Sequence, residues 1–163
     1  MSDVDVSRQA LLSLAVELLA GREVDPGRFI EAGLGAVVAG LDAPSLPLLA
    51  GADAAQAPVL FERVVDELGL DQALPPDAES ARWVLVRGWL SAIVRGELRP
   101  GDGGVLVREM SGLLGEPGSL GMIVRWTTML DTWITTDLTP RDVCEVPILE
   151  QARELLGGHW PPR

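Results

Sequence analysis

The chain predicts an all-α fold, and three observations carry that expectation. Apolar residues recur at three- and four-residue intervals along most of its length, and no stretch keeps the two-residue alternation of a half-buried strand. Glycines and prolines stand at the edges of the periodic stretches, where they stop and start helices. Hydrophobic residues make up 47% of the 163 residues and mean hydropathy is +0.23, enough to build a core and too much for a disordered chain. The expected architecture is a single helical domain over residues 1–163, a bundle of about seven to eight helices. Its sub-halves would be about residues 1–70 and 77–156, with a linker at 70–76 and a loose tail at 157–163.

The first helix is expected from Ser7 to Ala20, with Leu11, Leu12, Ala15, Leu18 and Leu19 as its apolar stripe and Gly21 as its stop. Asp25 then caps a second helix with Pro26 at its first position, where the missing N–H costs nothing. That helix should end at Gly40. Ala32, Ala36 and Gly40, with Gly33 and Gly35 beside them, form a small-residue seam that admits a close neighbour. A short helical piece follows at Ser45 to Ala50, and a fourth helix from near Ala54 or Ala57 to Leu68, with Leu60, Phe61, Val64, Val65 and Leu68 inward.

The stretch from Asp77 to Gly96 is the central helix. At about 100° per residue, Leu85, Trp89, Ala92, Ile93, Val86, Leu90, Trp83 and Val94 span roughly 200° of its wheel. Val84, Arg87, Gly88, Ser91 and Arg95 fill the remaining strip. A surface helix carries a narrower apolar stripe, so this one should be wrapped by neighbours. Pro100 starts the next helix, which runs to about Leu114, and Ser119 to about Thr135 forms the last long one. Thr139-Pro140-Arg141-Asp142 resembles a cap and first turn, but Pro147 restarts the chain, so the final helix is placed at Pro147 to Leu156.

The two halves share their punctuation. Gly21 and Gly96 are 75 residues apart, Pro26 and Pro100 are 74 apart, and Pro44 and Pro117 are 73 apart. A duplicated helical-hairpin unit and chance recurrence of common helix signals both account for this. Leu19-Ala-Gly-Arg-Glu-Val-Asp-Pro26, Leu49-Ala-Gly51, Val65-Asp-Glu-Leu-Gly69, Ile93-Val-Arg-Gly-Glu-Leu-Arg-Pro100 and Ala152-Arg-Glu-Leu-Leu156 are scattered along most of the chain. In these pieces it resembles a broad set of small helical proteins of actinobacteria. The resemblance implies a helical fold and brings no activity and no site residues.

Charge and composition exclude several functions. Thirteen arginines face 24 carboxylates, a net charge of −11, and residues 1–76 alone carry −8. Such a surface repels phosphate backbones, so nucleic-acid binding is not expected, and basic partners are favoured. The simpler role of the acid is solubility. Lys, Asn and Tyr, whose codons are rich in A and T, are absent, which points to a GC-rich bacterial genome. The acidic start, Met1-Ser-Asp-Val-Asp5, is unlike a signal peptide, and no apolar run reaches the length of a membrane span. Cys144 is the sole cysteine, so no internal disulfide forms, and a cytoplasmic location is expected.

Candidate chemistry is sparse. His159 is the only histidine, which rules out a histidine-based metal site. Glu62, Asp66 and Glu67 bracket one helix face, but with Arg63 among them they read as a solvated surface. A Cys144–His159 pair is disfavoured by the carboxylate of Glu145 next to the thiol, and no Gly-x-Ser-x-Gly motif is present. Arg99-Pro-Gly-Asp-Gly-Gly104 lacks the Gly-Lys-Ser/Thr ending of a phosphate loop and follows a helix, so its glycines are expected to serve packing. No catalytic, metal or cofactor site is assigned, and no cofactor is expected.

Two features remain. Met122, Trp126, Met129 and Trp133 fall on one helical face and suit a core, a partner groove or a small-molecule pocket. Arg82 lies at the centre of the central helix's apolar arc, so it needs a carboxylate, a neighbouring helix end or a bound anion. The expected function is that of a non-enzymatic acidic helical protein docking a protein partner, in its sharpest form an inhibitor or immunity-type protein against a basic toxin or enzyme. The rival is a helical small-molecule binder or cofactor-free enzyme with a Trp-lined pocket.

Overall fold

The computed structural model describes residues 1–134 and 140–163, and every regular element among them is helical. In chain order these are α1 (Asp3–Leu19), α2 (Pro26–Val38), α3 (Leu46–Ala50), α4 (Ala57–Glu67), α5 (Ala78–Val94), α6 (Pro100–Leu113), α7 (Gly121–Asp131) and α8 (Asp142–Gly157). Short 3-10 turns occupy Leu70–Ala73 and Gly118–Leu120. The chain divides into two compact units, Met1–Ala81 and Arg82–Arg163.

In the first unit, α1 begins at Asp3, one turn before the apolar stripe implies. Ser2 and Asp5 form a capping box: the Asp5 N–H donates to Ser2 Oγ (3.2 Å) and the Ser2 N–H to Asp5 Oδ2 (3.1 Å). The core gathers Leu11, Leu14, Phe29, Leu46, Leu49, Phe61 and Val64, with Phe29 stacked on Phe61 at 4.5 Å between ring centres. Of the expected seam, only Gly33 and Ala36 are buried. A Cβ at Gly33 would lie 2.9 Å from Leu49 Cγ, so the glycine sets how closely α2 and α3 approach. The stretch expected as a linker instead carries the 3-10 turn Leu70–Ala73, whose Leu70 belongs to the same core.

The helix stops are repeated motifs. At Gly21 and Gly40 the backbone turns left-handed (φ 87° and 86°), and the following N–H reaches back, Arg22 to the Glu17 carbonyl and Leu41 to the Ala36 carbonyl. Gly96 and Gly115 do the same (φ 75° and 79°), with Glu97 donating to the Ala92 carbonyl and Glu116 to the Ser111 carbonyl. Every donor and acceptor of the second pair lies 75 residues beyond its counterpart in the first.

In the second unit, the apolar arc of α5 is buried at its centre and only partly covered on either side. Val86, Leu90 and Ile93 are buried, Trp83, Leu85, Trp89, Ala92 and Val94 are half-buried, and Val84, Arg87, Gly88 and Arg95 are exposed. The glycines of α6 form a shallow seat. Gly103 lies against Ile93 and Leu98, Gly104 against Thr127 and Ile148, and Gly101 against Leu130 and Glu145. That seat accepts the modest side chains Thr127 and Leu130, so the buried face of α7 is Ile123, Thr127 and Leu130. α7 ends at Asp131; the expected end at Thr135 and the cap at Thr139 lie outside the described residues.

The last helix differs most from expectation. It starts at Asp142 and carries Pro147 within it. Starting five residues earlier places Cys144, Ile148 and Ala152 on one face at four-residue spacing, all fully buried, which offsets the hydrogen bond that Pro147 cannot donate. Part of the tail packs against the rest of the second unit. Trp160 meets Trp83 edge-on at 5.7 Å, and Ser119 Oγ donates to the Pro162 carbonyl at 3.4 Å.

Two helix starts make stability depend on acid. The Ser2 hydroxyl holds the Asp5 carboxyl below its ordinary 3.8, and the Ser80 N–H, donating at 2.7 Å, does the same for Asp77 ahead of α5. Because the folded state favours the ionised forms, their contribution is complete above the ordinary value and is lost as pH falls through the lowered ones. The urea midpoint should therefore hold down to about pH 4 and then fall more steeply than in an Asp5→Asn/Asp77→Asn variant, whose caps do not titrate.

Candidate functional site

The residues with chemical potential are kept apart. Cys144 is fully buried, and burial pushes its thiol up, away from the thiolate range. His159 is exposed, with Nδ1 3.5 Å from the Pro161 carbonyl. Glu62 and Asp66 face water, while Glu67 accepts hydrogen bonds from the Ser45 N–H (2.8 Å) and hydroxyl (2.7 Å). Among the described residues no three His, Cys, Asp or Glu side chains are grouped to hold a metal ion, and no helix is long and apolar enough to cross a membrane.

Arg82 is half-buried and its Nη1 donates to the Leu113 carbonyl at 2.7 Å. The guanidinium thus meets the C-terminal end of α6, where unpaired carbonyls concentrate negative charge. Met122 and Met129 are exposed, and Trp126 and Trp133 are half-buried, Trp133 lying beyond the end of α7. The stripe stands one residue out of phase with the face that fills the core.

An open apolar groove lies in the first unit, between α3 and α4. Ser45, bound by Glu67, ties the start of α3 to the end of α4. Leu49 rests against Gly33 on the other side. With Leu46 and Leu49 turned inward by these two anchors, Pro47 and Leu48 must face outward. They meet Gly51, Ala55, Gln56, Val59, Leu60 and Arg63 around a groove of about 630 Å³. Leu48 is 59% exposed and Val59 55%, so branched aliphatic side chains on facing helices both meet solvent in the groove.

Among the described residues the groove's one charged lining residue is Arg63, and the two units differ in net charge. The first unit holds 14 carboxylates and 4 arginines, net −10; the second holds 10 and 9, net −1. Leu48 and Val59 were not singled out by the sequence, because each is a lone apolar residue until folding sets the two helices side by side. Comparison with protein-family models, with curated proteins and with solved structures gave no match.

Proposed function

We propose that the chain is a non-enzymatic docking protein whose acidic first unit binds a basic helix of a protein partner in the α3–α4 groove. The observation that carries this reading is the coincidence of an exposed apolar groove with a unit of net charge −10. Apolar anchors in such a groove supply affinity, and the surrounding charge speeds encounter and selects basic partners. An inhibitor or immunity-type protein that neutralises a basic toxin or enzyme is the sharpest form of this role. On this reading the chain acts in the cytoplasm, needs no cofactor and avoids nucleic acid, whose phosphates its acidic surface repels.

A designed helical peptide tests the proposal, with leucines at i, i+3, i+4 and i+7 and lysines elsewhere. Calorimetric titration into the 163-residue chain should saturate with a Kd of about 10 μM. A Leu48→Glu/Val59→Glu variant should bind about tenfold more weakly, although it is more acidic. Unchanged or tighter binding by that variant would mean that charge alone attracts the peptide, and the groove would have no such role.

A further inference from the structure

The exposed strip of α5 lines a second groove, and it is basic in an otherwise acidic chain. No carboxylate occurs between Glu79 and Glu97, whereas Arg82, Arg87 and Arg95 fall in that interval. Arg87, Ser91 and Arg95 recur at four-residue spacing and share one helix face. Together with Val84, Gly88 and Trp160 they surround a groove of about 470 Å³, within the range of small-molecule sites.

The groove is built from held parts. Trp160 is fixed by its edge contact with Trp83 at 5.7 Å, and the Arg87 guanidinium lies 5.8 Å from its ring centre. Ser91 stands about 6 Å along the helix axis from each arginine, so both side chains can reach an anion set over its hydroxyl. Glu97 holds Arg95 by two hydrogen bonds of 2.8 Å, but both side chains are more than half exposed, and such pairs exchange readily for a better anion. At Gly88 a Cβ would meet nothing within 4 Å, so internal packing does not require the glycine; its bare backbone leaves the groove floor open to close approach.

We infer that this groove binds a phosphorylated small molecule with an aromatic or apolar body. Two guanidinium forks and a hydroxyl match the several oxygens of a phosphate better than the two of a carboxylate. The body would lie along Val84 and the Trp160 ring. A polynucleotide is excluded as ligand, because two arginines cannot offset the repulsion from a chain of net charge −11.

Phenyl phosphate is the probe, titrated into the 163-residue chain and followed by the Trp160 indole N–H and the backbone amides. Saturable binding is expected, with a Kd of about 1 mM or below. Arg87→Ala and Arg95→Ala should each weaken it about tenfold, and Arg125→Ala, an exposed arginine outside the groove, should leave it unchanged. Arg95→Ala keeps the argument testable if loss of Arg87 loosens Trp160. Glu97→Gln should tighten binding about threefold by freeing Arg95. Phenol and inorganic phosphate should each bind at least about tenfold more weakly. Absence of saturation, equal affinity for inorganic phosphate, or unchanged affinity in both arginine variants would overturn the inference.

Discussion

Glu17→Ala should destabilise the protein by about 3 kcal/mol, near the lower end of the cost of breaking a buried ion pair. Glu17 sits in the last turn of α1, where the helix dipole disfavours a carboxylate. Its side chain is only 10% exposed and it accepts three hydrogen bonds: Arg22 Nη1 at 2.7 Å, Arg28 Nη1 at 2.9 Å and Arg28 Nη2 at 2.8 Å. The bonds from Arg28 raise that guanidinium above its ordinary range, the sign expected for a cation held by a carboxylate. Truncation would remove the carboxylate that the half-buried Arg22 and the half-exposed Arg28 share, and Arg28 could turn to water, which keeps the loss from being larger. Glu17→Gln retains one acceptor and should lose roughly half as much. Far-UV circular dichroism is the suitable readout, because all five tryptophans lie beyond residue 81.

Gly104→Ala should lower stability by about 2 kcal/mol, the reverse of what helix propensity alone implies. A glycine inside a helix normally gains about 1 kcal/mol on becoming alanine. At Gly104 the added Cβ would overlap Thr127 Oγ1 and come within 3.4 Å of Ile148 Cδ1, forcing α7 or α8 to move. Thr127 is fully buried and Ile148 lies beside it, so the close-packed site has little room for either side chain to move aside. Gly112 in the same helix is the control: nothing lies within 4 Å of its Cβ position, and Gly112→Ala should stabilise by about 0.5–1 kcal/mol. Tryptophan fluorescence reports both variants directly. Equal and favourable effects at the two positions would mean that the glycine seat does not set the packing of α6.

Much of the helix framework could be read from the residues because its signals are local. Asp25 and Pro26 open α2 and Pro100 opens α6, while Gly21, Gly40, Gly96 and Gly115 close four helices, all through backbone geometry that a short window reveals. The errors arose where distant contacts decide. The start of α1 rests on a capping box among charged residues, outside the apolar pattern. Pro147 reads as a helix start until Cys144 and Ile148 are seen to fill one core. On α7, spacing left the Met122/Trp126/Met129/Trp133 face open to core or surface, and the glycines opposite decide that Thr127 and Leu130 turn inward. The grooves were the least visible, since Leu48 with Val59, and Trp160 with Arg87, become neighbours only through the fold.

The two proposed sites take different ligands, a basic helix at α3–α4 and a phosphorylated small molecule on α5. The most direct test is one amide NMR spectrum of the 163-residue chain, titrated separately with the Lys/Leu peptide and with phenyl phosphate. The peptide should shift resonances from residues 47–63, and phenyl phosphate those from residues 84–95 and Trp160. Peptide shifts spread over the acidic surface, or both ligands moving the same residues, would contradict it.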